Sequence, residues 1–146
     1  MTDNVIISIR GRQLYAESSP DEVELVTSGT LKRDGAGGYI VSYAETELTG
    51  LEGTTTVLQV SEGQVTLLRQ GEVNSVMVFE EGRQHVSVYE TPAGTLAITI
   101  NTRRLRSELD AQGGDIEIQY TIDVDRAATG LNLFHIHVSR PATDAA

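Results

Sequence analysis

The eight residues Ile116-Glu117-Ile118-Gln119-Tyr120-Thr121-Ile122-Asp123 alternate without a break between apolar or aromatic and polar side chains. Successive side chains of a β-strand point to opposite faces, so this stretch predicts a strand with one face in the core and the other in water. Such alternation is typical of an antiparallel sheet whose outer face is solvated. The stretch therefore indicates an all-β fold.

Strand-like runs of the same kind recur about every ten residues along the 146-residue chain, separated by short turns rich in glycine, serine or proline. Regular spacing of this sort indicates a sandwich or a barrel of antiparallel strands. We predict nine to ten strands in meander order, closed into a barrel because closure buries every apolar face and removes exposed edges. The expected strands cover residues 4–12, 22–33, 39–47, 54–60, 64–70, 73–80, 84–90, 96–100, 116–123 and 134–138.

One segment changes phase. Leu96, Ile98 and Ile100 alternate regularly, but Leu105 and Leu109 fall on the opposite phase. A β-bulge near residue 102 would bring both sets to one face. A helical turn over residues 103–111 is the alternative, since the two leucines are also four residues apart. The bulged strand is preferred.

Two other local expectations follow from the same patterns. The strand over residues 84–90 has Val86 and Val88 in phase, and residues 125–130 are expected to form a turn before the last strand. The chain is expected to be one domain over residues 1–146, with residues 140–146 as a flexible tail.

Composition supports strands and restricts the candidate partners. The chain holds 14 Val, 10 Ile and 16 Thr against 11 Ala, and branched side chains favour pleated sheets. It contains no cysteine, so neither a disulfide nor a thiolate metal site can form, and a cytoplasmic location is expected. A net charge of −10 repels phosphate backbones and anionic membranes, so neither nucleic acid nor a membrane is an expected partner.

Several short strings together resemble the bacterial YwiB-like family, whose function is unknown. The resemblance implies a calycin-like, lipocalin-like antiparallel meander barrel of about 8–10 strands and a cytoplasmic bacterial source, and it implies no activity. Ala93 departs from the family pattern, because an aromatic residue is expected there. The strings are Tyr43-Ala44-Glu45, Gly53-Thr54-Thr55-Thr56, Arg69-Gln70-Gly71, Met77-Val78-Phe79, residues 89–94, Asn101-Thr102 and residues 114–123 around Tyr120.

The candidate ligand-binding residues are polar side chains expected inside the barrel. Tyr43, Glu45, Arg69 and Tyr120 are each in phase with the apolar face of their strand, and Tyr89 joins them as a residue that recurs in the similar family. Buried charges need partners. Either these residues line a pocket for a small polar or carboxylate ligand, or Glu45 and Arg69 form a structural salt bridge in a barrel filled by side chains.

His135 and His137 are spaced so that both imidazoles point to one side of the last strand, a spacing that some metal sites use. Phe134, Ile136 and Val138 occupy the inward face, which directs both histidines outward. A third ligand would be required, so we predict no metal site and no cofactor. The run Thr54-Thr55-Thr56 lacks the glycine-rich cradle of a phosphate site and is expected to be ordinary strand.

Three classes of function remain open. The first is a cytoplasmic barrel that binds a small molecule. The second is an interaction module or homodimer whose contact surface uses outward apolar residues, namely Ile6, Ile40, Leu131 and Leu133. The third is an enzyme with Glu45 as acid or base, but no nucleophile, triad or nucleotide fingerprint accompanies it, and we predict no catalytic residues.

Overall fold

Alternating side chains and glycine-containing turns produce ten β-strands in the computed structural model of the chain. The structure describes residues 2–14, 21–33, 38–45, 53–71, 74–110, 112–124 and 127–140, with the side chains of these residues except 2–3, 13–14, 21–23, 89, 91, 124 and 127–129. The strands are β1 Thr2–Leu14, β2 Asp21–Arg33, β3 Tyr39–Ala44, β4 Thr54–Ser61, β5 Gln64–Gly71, β6 Asn74–Glu80, β7 Gln84–Thr91, β8 Gly94–Asp110, β9 Gly113–Val124 and β10 Ala127–Ser139.

Every strand pairs antiparallel with its neighbours in sequence, and β10 pairs with β1 to close the barrel. The prediction of an all-β antiparallel meander barrel is therefore confirmed. Closure matters physically because it leaves no exposed sheet edge at the first and last strands. In the described parts of the chain, no helix has the length and apolar character needed to cross a membrane.

The core is formed by inward side chains of most of the strands, as the alternation predicts. Val5, Ile7 and Ile9 of β1 face inward, and Ile136 and Val138 of β10 face them from the next strand. Side chains from opposite walls interdigitate inside a barrel of this size and fill much of its interior. The largest fully buried side chains are Phe79, Ile7, Leu58, Ile100, Ile116, Ile118 and Ile136.

The phase change after Ile100 is a β-bulge in β8. The register with β9 shifts between Thr102 and Arg104, so that Thr102 lies opposite Tyr120 and Leu105 lies opposite Ile118. One extra residue in β8 thus returns the later leucines to the inward face. The bulge predicted near residue 102 is confirmed, and the helical alternative for residues 103–111 is wrong, because β8 continues to Asp110.

Some boundaries differ from expectation. The third strand ends at Ala44, although the Glu45 N–H still donates to the Thr54 carbonyl at 2.8 Å, and residues 46–47 lie outside the described residues. The predicted turn over 125–130 is wrong for residues 127–130, which belong to β10. A register shift before Leu131 and a φ of 103° at Gly130 let β10 continue through an irregularity where the sequence indicates a turn.

The strand β7 has the opposite phase to the one that its valines indicate. Ser87 is buried, whereas Val86 and Val88 face outward and are exposed. The reason lies in the register with β8, which places Ser87 opposite the buried Ile98. Because paired residues point to the same face, β8 determines which side of β7 enters the core.

Candidate functional site

A row of polar side chains crosses the inner wall of the barrel at one level. Antiparallel register places Tyr43 of β3 opposite Thr56 of β4, Thr56 opposite Arg69 of β5, and Arg69 opposite Ser75 of β6. Residues paired in this way share a face of the sheet. The predicted inward direction of Tyr43 and Arg69 is matched by their positions, since Tyr43 is buried and Arg69 is half-buried, and the row adds the buried Thr56 and Ser75.

Glu45 lies at the edge of this row and is bonded within it. Its side chain is only 6% exposed, and its Oε1 accepts a hydrogen bond of 2.6 Å from the Thr56 hydroxyl. The Tyr43 side chain lies close enough to this carboxylate to be affected by its negative charge. Burial, and then the negative charge of Glu45, raise the pKa of Tyr43 well above its usual value, so Tyr43 is a neutral donor in the folded protein.

Arg69 forms no salt bridge with Glu45. Among the residues that the structure describes, no carboxylate oxygen lies within 4.0 Å of the Arg69 nitrogens, and its Nε is enclosed without a hydrogen-bond partner. The structural salt bridge considered from the sequence is therefore not formed. Arg69 is half-buried, and an enclosed guanidinium nitrogen with no partner in contact is an unfavourable arrangement in a protein alone.

Tyr120 approaches the same region from β9. Its ring meets the Phe79 ring edge to face, with centroids 4.9 Å apart and planes at 64°. Burial raises the pKa of Tyr120, and the positive charge of Arg69 opposes that shift for Tyr120 as it does for Tyr43. The Arg69 side chain therefore lies within electrostatic reach of both tyrosines. Thr102, opposite Tyr120 in register, also has a buried hydroxyl with no partner in the described part of the chain.

A cavity of about 490 Å³ opens to solvent through the wall beside Arg69. Its inner lining includes Arg69, Ser75 and Ser87, and the Ser75 hydroxyl has no hydrogen-bond partner among the side chains that the structure describes. Guanidinium N–H groups and hydroxyls donate well to carboxylates, and the volume lies in the range of small-molecule sites. The arrangement is suited to holding an anionic group.

Some candidate residues are brought together and others are not tested. Tyr43, Glu45, Arg69 and Tyr120 converge on one part of the interior. The backbone of Tyr89 lies opposite Ser75 in β7, but its side chain lies outside the described residues. Sequence reasoning missed Ser75 and Ser87 as lining residues. Strand alternation could have indicated Ser75, which is in phase with Met77 and Phe79 on β6.

The two histidines of β10 form a separate cluster on the outer wall with Asp115 of β9. Asp115 Oδ1 lies 2.8 Å from His135 Nε2 and 2.9 Å from His137 Nδ1. These hydrogen bonds lower the pKa of Asp115, with His137 as the larger contribution. Across the described ranges, no group of three or more histidine, aspartate or glutamate side chains is arranged to hold a metal ion. The outward direction predicted for both histidines agrees with their positions.

Comparison with known families gives one match over most of the chain. A family model described as "Domain of unknown function (DUF1934)" matches residues 7–136. A curated relative, "Uncharacterized beta-barrel protein YwiB" of Bacillus subtilis (strain 168), is 31% identical over 86 residues, which are 59% of this chain and 58% of the relative. The match therefore spans less than two thirds of that relative's length.

A solved structure shares the fold. The "Crystal structure of ywiB protein from Bacillus subtilis" aligns with a TM-score of 0.84 over 97% of this chain and 94% of that one, at 23% identity. The similarity supports the barrel architecture. The descriptions of these relatives name no ligand and no activity.

Proposed function

The chain belongs to the family described as Domain of unknown function (DUF1934), and we propose that its barrel binds a small carboxylate ligand at Arg69. The barrel itself is of unassigned function in the relatives described above. The proposal therefore rests on the chemistry of this chain's interior and not on a relative's activity.

The observation that carries the proposal is the Arg69 guanidinium, which has no carboxylate in contact among the described residues. Removing a cation from water costs free energy that a contacting anion can offset. Glu45 does not fill this role, since its carboxylate accepts a hydrogen bond from the Thr56 hydroxyl and makes no ion pair with Arg69 among the described residues. A carboxylate entering the cavity would supply the missing counter-charge and could accept two hydrogen bonds from the guanidinium.

The size and charge of the cavity support a small ligand with one negative charge. Its volume of about 490 Å³ suits a small molecule and is too small for a folded partner. Arg69 provides a single positive charge, and the buried Glu45 carboxylate nearby disfavours additional negative charge. The Ser75 hydroxyl offers a further donor.

The alternative of an assembly module has weaker support. Ile6, Ile40, Leu131 and Leu133, the residues expected to form its surface, are half-buried in the barrel wall. A homodimer through these residues would therefore add little apolar burial.

We place the ligand-binding function in the cytoplasm, which suits a chain without cysteine.

Titration calorimetry with butyrate tests the proposal. The wild type is expected to bind butyrate and not the neutral analogue butyramide. Arg69→Gln should weaken butyrate binding about tenfold to a hundredfold, the worth of a hydrogen bond to a charged group. Arg104→Gln removes an exposed arginine on the outer wall and is the matched control, with unchanged affinity expected.

Equal affinity of wild type and Arg69→Gln for butyrate would refute the proposal, as would equal binding of butyrate and butyramide. The second comparison uses only wild-type protein, so it remains decisive if the Arg69→Gln variant does not fold. Saturating ligand should also raise the melting temperature, since about 2.7 kcal/mol of stabilisation is expected at a hundred times Kd.

A further inference from the structure

The wall of the barrel is open between β6 and β7. Along the described parts of these strands, paired residues occur only at Asn74–Glu90 and Ser75–Tyr89, although both strands continue toward the turn that joins them. The turn is instead attached to β8, where the Gly82 N–H donates to the Thr102 carbonyl at 2.9 Å. The Thr102 N–H in turn donates to the Arg83 carbonyl at 3.1 Å. This attachment holds the turn while the middle of the hairpin stays unpaired.

Three valines surround this gap, which we call the β6–β7 opening and define by Val76, Val86 and Val88. They are 47%, 74% and 51% exposed, and all three line the cavity that reaches Arg69. The described residues contain only two other large exposed hydrophobic side chains, Val26 and Leu96. Exposed apolar side chains are thus concentrated where the cavity meets solvent, a pattern that marks binding sites.

The cavity therefore has two chemically different ends. Its inner end presents Arg69 and Ser75, and its outer end presents the three valines, bordered by the polar side chains of Gln70, Asn74 and Glu90. A purely polar ligand would satisfy the guanidinium and leave the valines in water. A ligand with an apolar chain would cover them and gain free energy in proportion to the apolar area removed from solvent.

We propose that the ligand is an amphipathic monocarboxylate, with its carboxylate at Arg69 and an unbranched alkyl chain lying in the β6–β7 opening against Val86 and Val88. This inference rests on the proposed function, because it requires the carboxylate site at Arg69. It adds the apolar part of the ligand and the route by which the ligand enters the barrel.

The test compares acetate, butyrate, hexanoate and octanoate, each below its micelle concentration, by titration calorimetry. Wild-type affinity is expected to rise about fourfold for each methylene that the opening buries. The double variant Val86→Thr with Val88→Thr keeps branched side chains of nearly the same shape but adds a hydroxyl to each. The double variant should reduce the rise in affinity to about twofold or less per methylene while leaving the affinity for acetate unchanged.

Val26→Thr is the matched control, because Val26 is 69% exposed on β2 and does not line this cavity. It should reproduce the wild-type dependence on chain length. In the wild type, octanoate and not acetate should shift the methyl NMR signals of Val86 and Val88. This second measurement needs no folded variant.

The outcomes separate the two proposals. If acetate and octanoate bind wild type equally, the amphipathic ligand is overturned and the carboxylate site at Arg69 stands. If none of the four acids binds, the carboxylate site fails and the inference fails with it. If the double variant shows the wild-type dependence on chain length, the alkyl chain binds elsewhere and the inference is overturned. The same conclusion follows if Val26→Thr abolishes that dependence.

Discussion

The buried Tyr43 hydroxyl makes the stability of the barrel sensitive to alkaline pH in a way that Tyr43→Phe should abolish. Tyr43 is 5% exposed, and burial together with the Glu45 charge raises its pKa above the usual value near 10. The folded protein therefore keeps the phenol proton at a pH where the unfolded chain loses it. The stabilising contribution is complete below about pH 10 and is lost as pH rises toward the folded pKa.

The size of this pH dependence follows from the difference in proton binding between the folded and unfolded chains. Each tyrosine protonated only in the folded state lowers the free energy of unfolding by about 1.4 kcal/mol per pH unit above pH 10. Tyr120, whose pKa is also raised by burial, adds a second contribution of the same sign. The chain has a single lysine, Lys32, and arginines stay protonated, so few other groups titrate in this window.

At neutral pH the Tyr43→Phe variant loses a buried hydroxyl and its electrostatic interaction with the nearby Glu45 carboxylate, which should cost about 1.5–3 kcal/mol. Above pH 10 it should recover about 1.4 kcal/mol per pH unit relative to wild type, so the two curves should cross near about pH 11 to 12. Urea denaturation at a series of pH values measures both curves. Phenolate absorbance, followed in parallel, reports how many tyrosines ionise before unfolding.

Thr56→Val is the control, because it removes a hydrogen bond to Glu45 without removing an ionisable group. Its stability deficit should stay constant across the alkaline range. Parallel curves for wild type and Tyr43→Phe would refute the reasoning, since they would mean that Tyr43 ionises alike in the folded and unfolded chains. Ionisation of all five tyrosines in the folded protein would refute it equally.

Three other substitutions test the core, a close strand approach and the outer cluster. Leu58→Ala should lower the unfolding free energy by about 2–5 kcal/mol, because Leu58 is fully buried, whereas Val26→Ala should change it by less than about 0.5 kcal/mol. Gly29→Ala should lower the unfolding free energy by about 1–3 kcal/mol, since an added Cβ would overlap a β3 carbonyl and a β1 side chain. Gly11→Ala is the control and should be tolerated in the same urea assay, because the atom nearest to a Cβ added at Gly11 lies 4.0 Å away. Asp115→Asn should reduce the loss of stability at acid pH. The depressed pKa of Asp115 stabilises the fold above the usual carboxyl pKa, and this contribution is lost as pH falls through the lowered pKa. Melting curves at several pH values would measure the difference, and identical acid profiles for the two proteins would contradict it.

The inward direction of the candidate residues could be predicted because it depends on local alternation. Tyr43 shares a phase with Val41, and Arg69 shares one with Leu67, so each side chain follows apolar neighbours on its own strand into the barrel. The bulge near Thr102 could be predicted for the same reason, since a phase change within one strand is visible in its sequence. Such features need no knowledge of which strands are neighbours.

Local alternation could not predict which side chains contact the charged groups of Glu45 and Arg69. Glu45 and Arg69 have opposite charges and both face inward, which favours a salt bridge between them from sequence alone. The register places Thr56 directly between Tyr43 and Arg69, and the Thr56 hydroxyl donates a hydrogen bond of 2.6 Å to the Glu45 carboxylate. Which donor reaches a carboxylate depends on three-dimensional register and rotamer, and neither leaves a periodic signal in the sequence.

The two largest departures from expectation are close together in the barrel. The Arg69 guanidinium, which contacts no carboxylate among the described residues, lies at the inner end of the cavity, and the outward valines Val86 and Val88 lie at its outer end. Each departure runs against a general tendency, one for enclosed charged groups to have partners and the other for large apolar side chains to be removed from water. Departures from local consistency are expected where a protein binds something, because a ligand can supply the contact that the chain lacks. One amphipathic carboxylate would satisfy both tendencies at once, whereas two unrelated structural explanations would be needed to account for the departures separately.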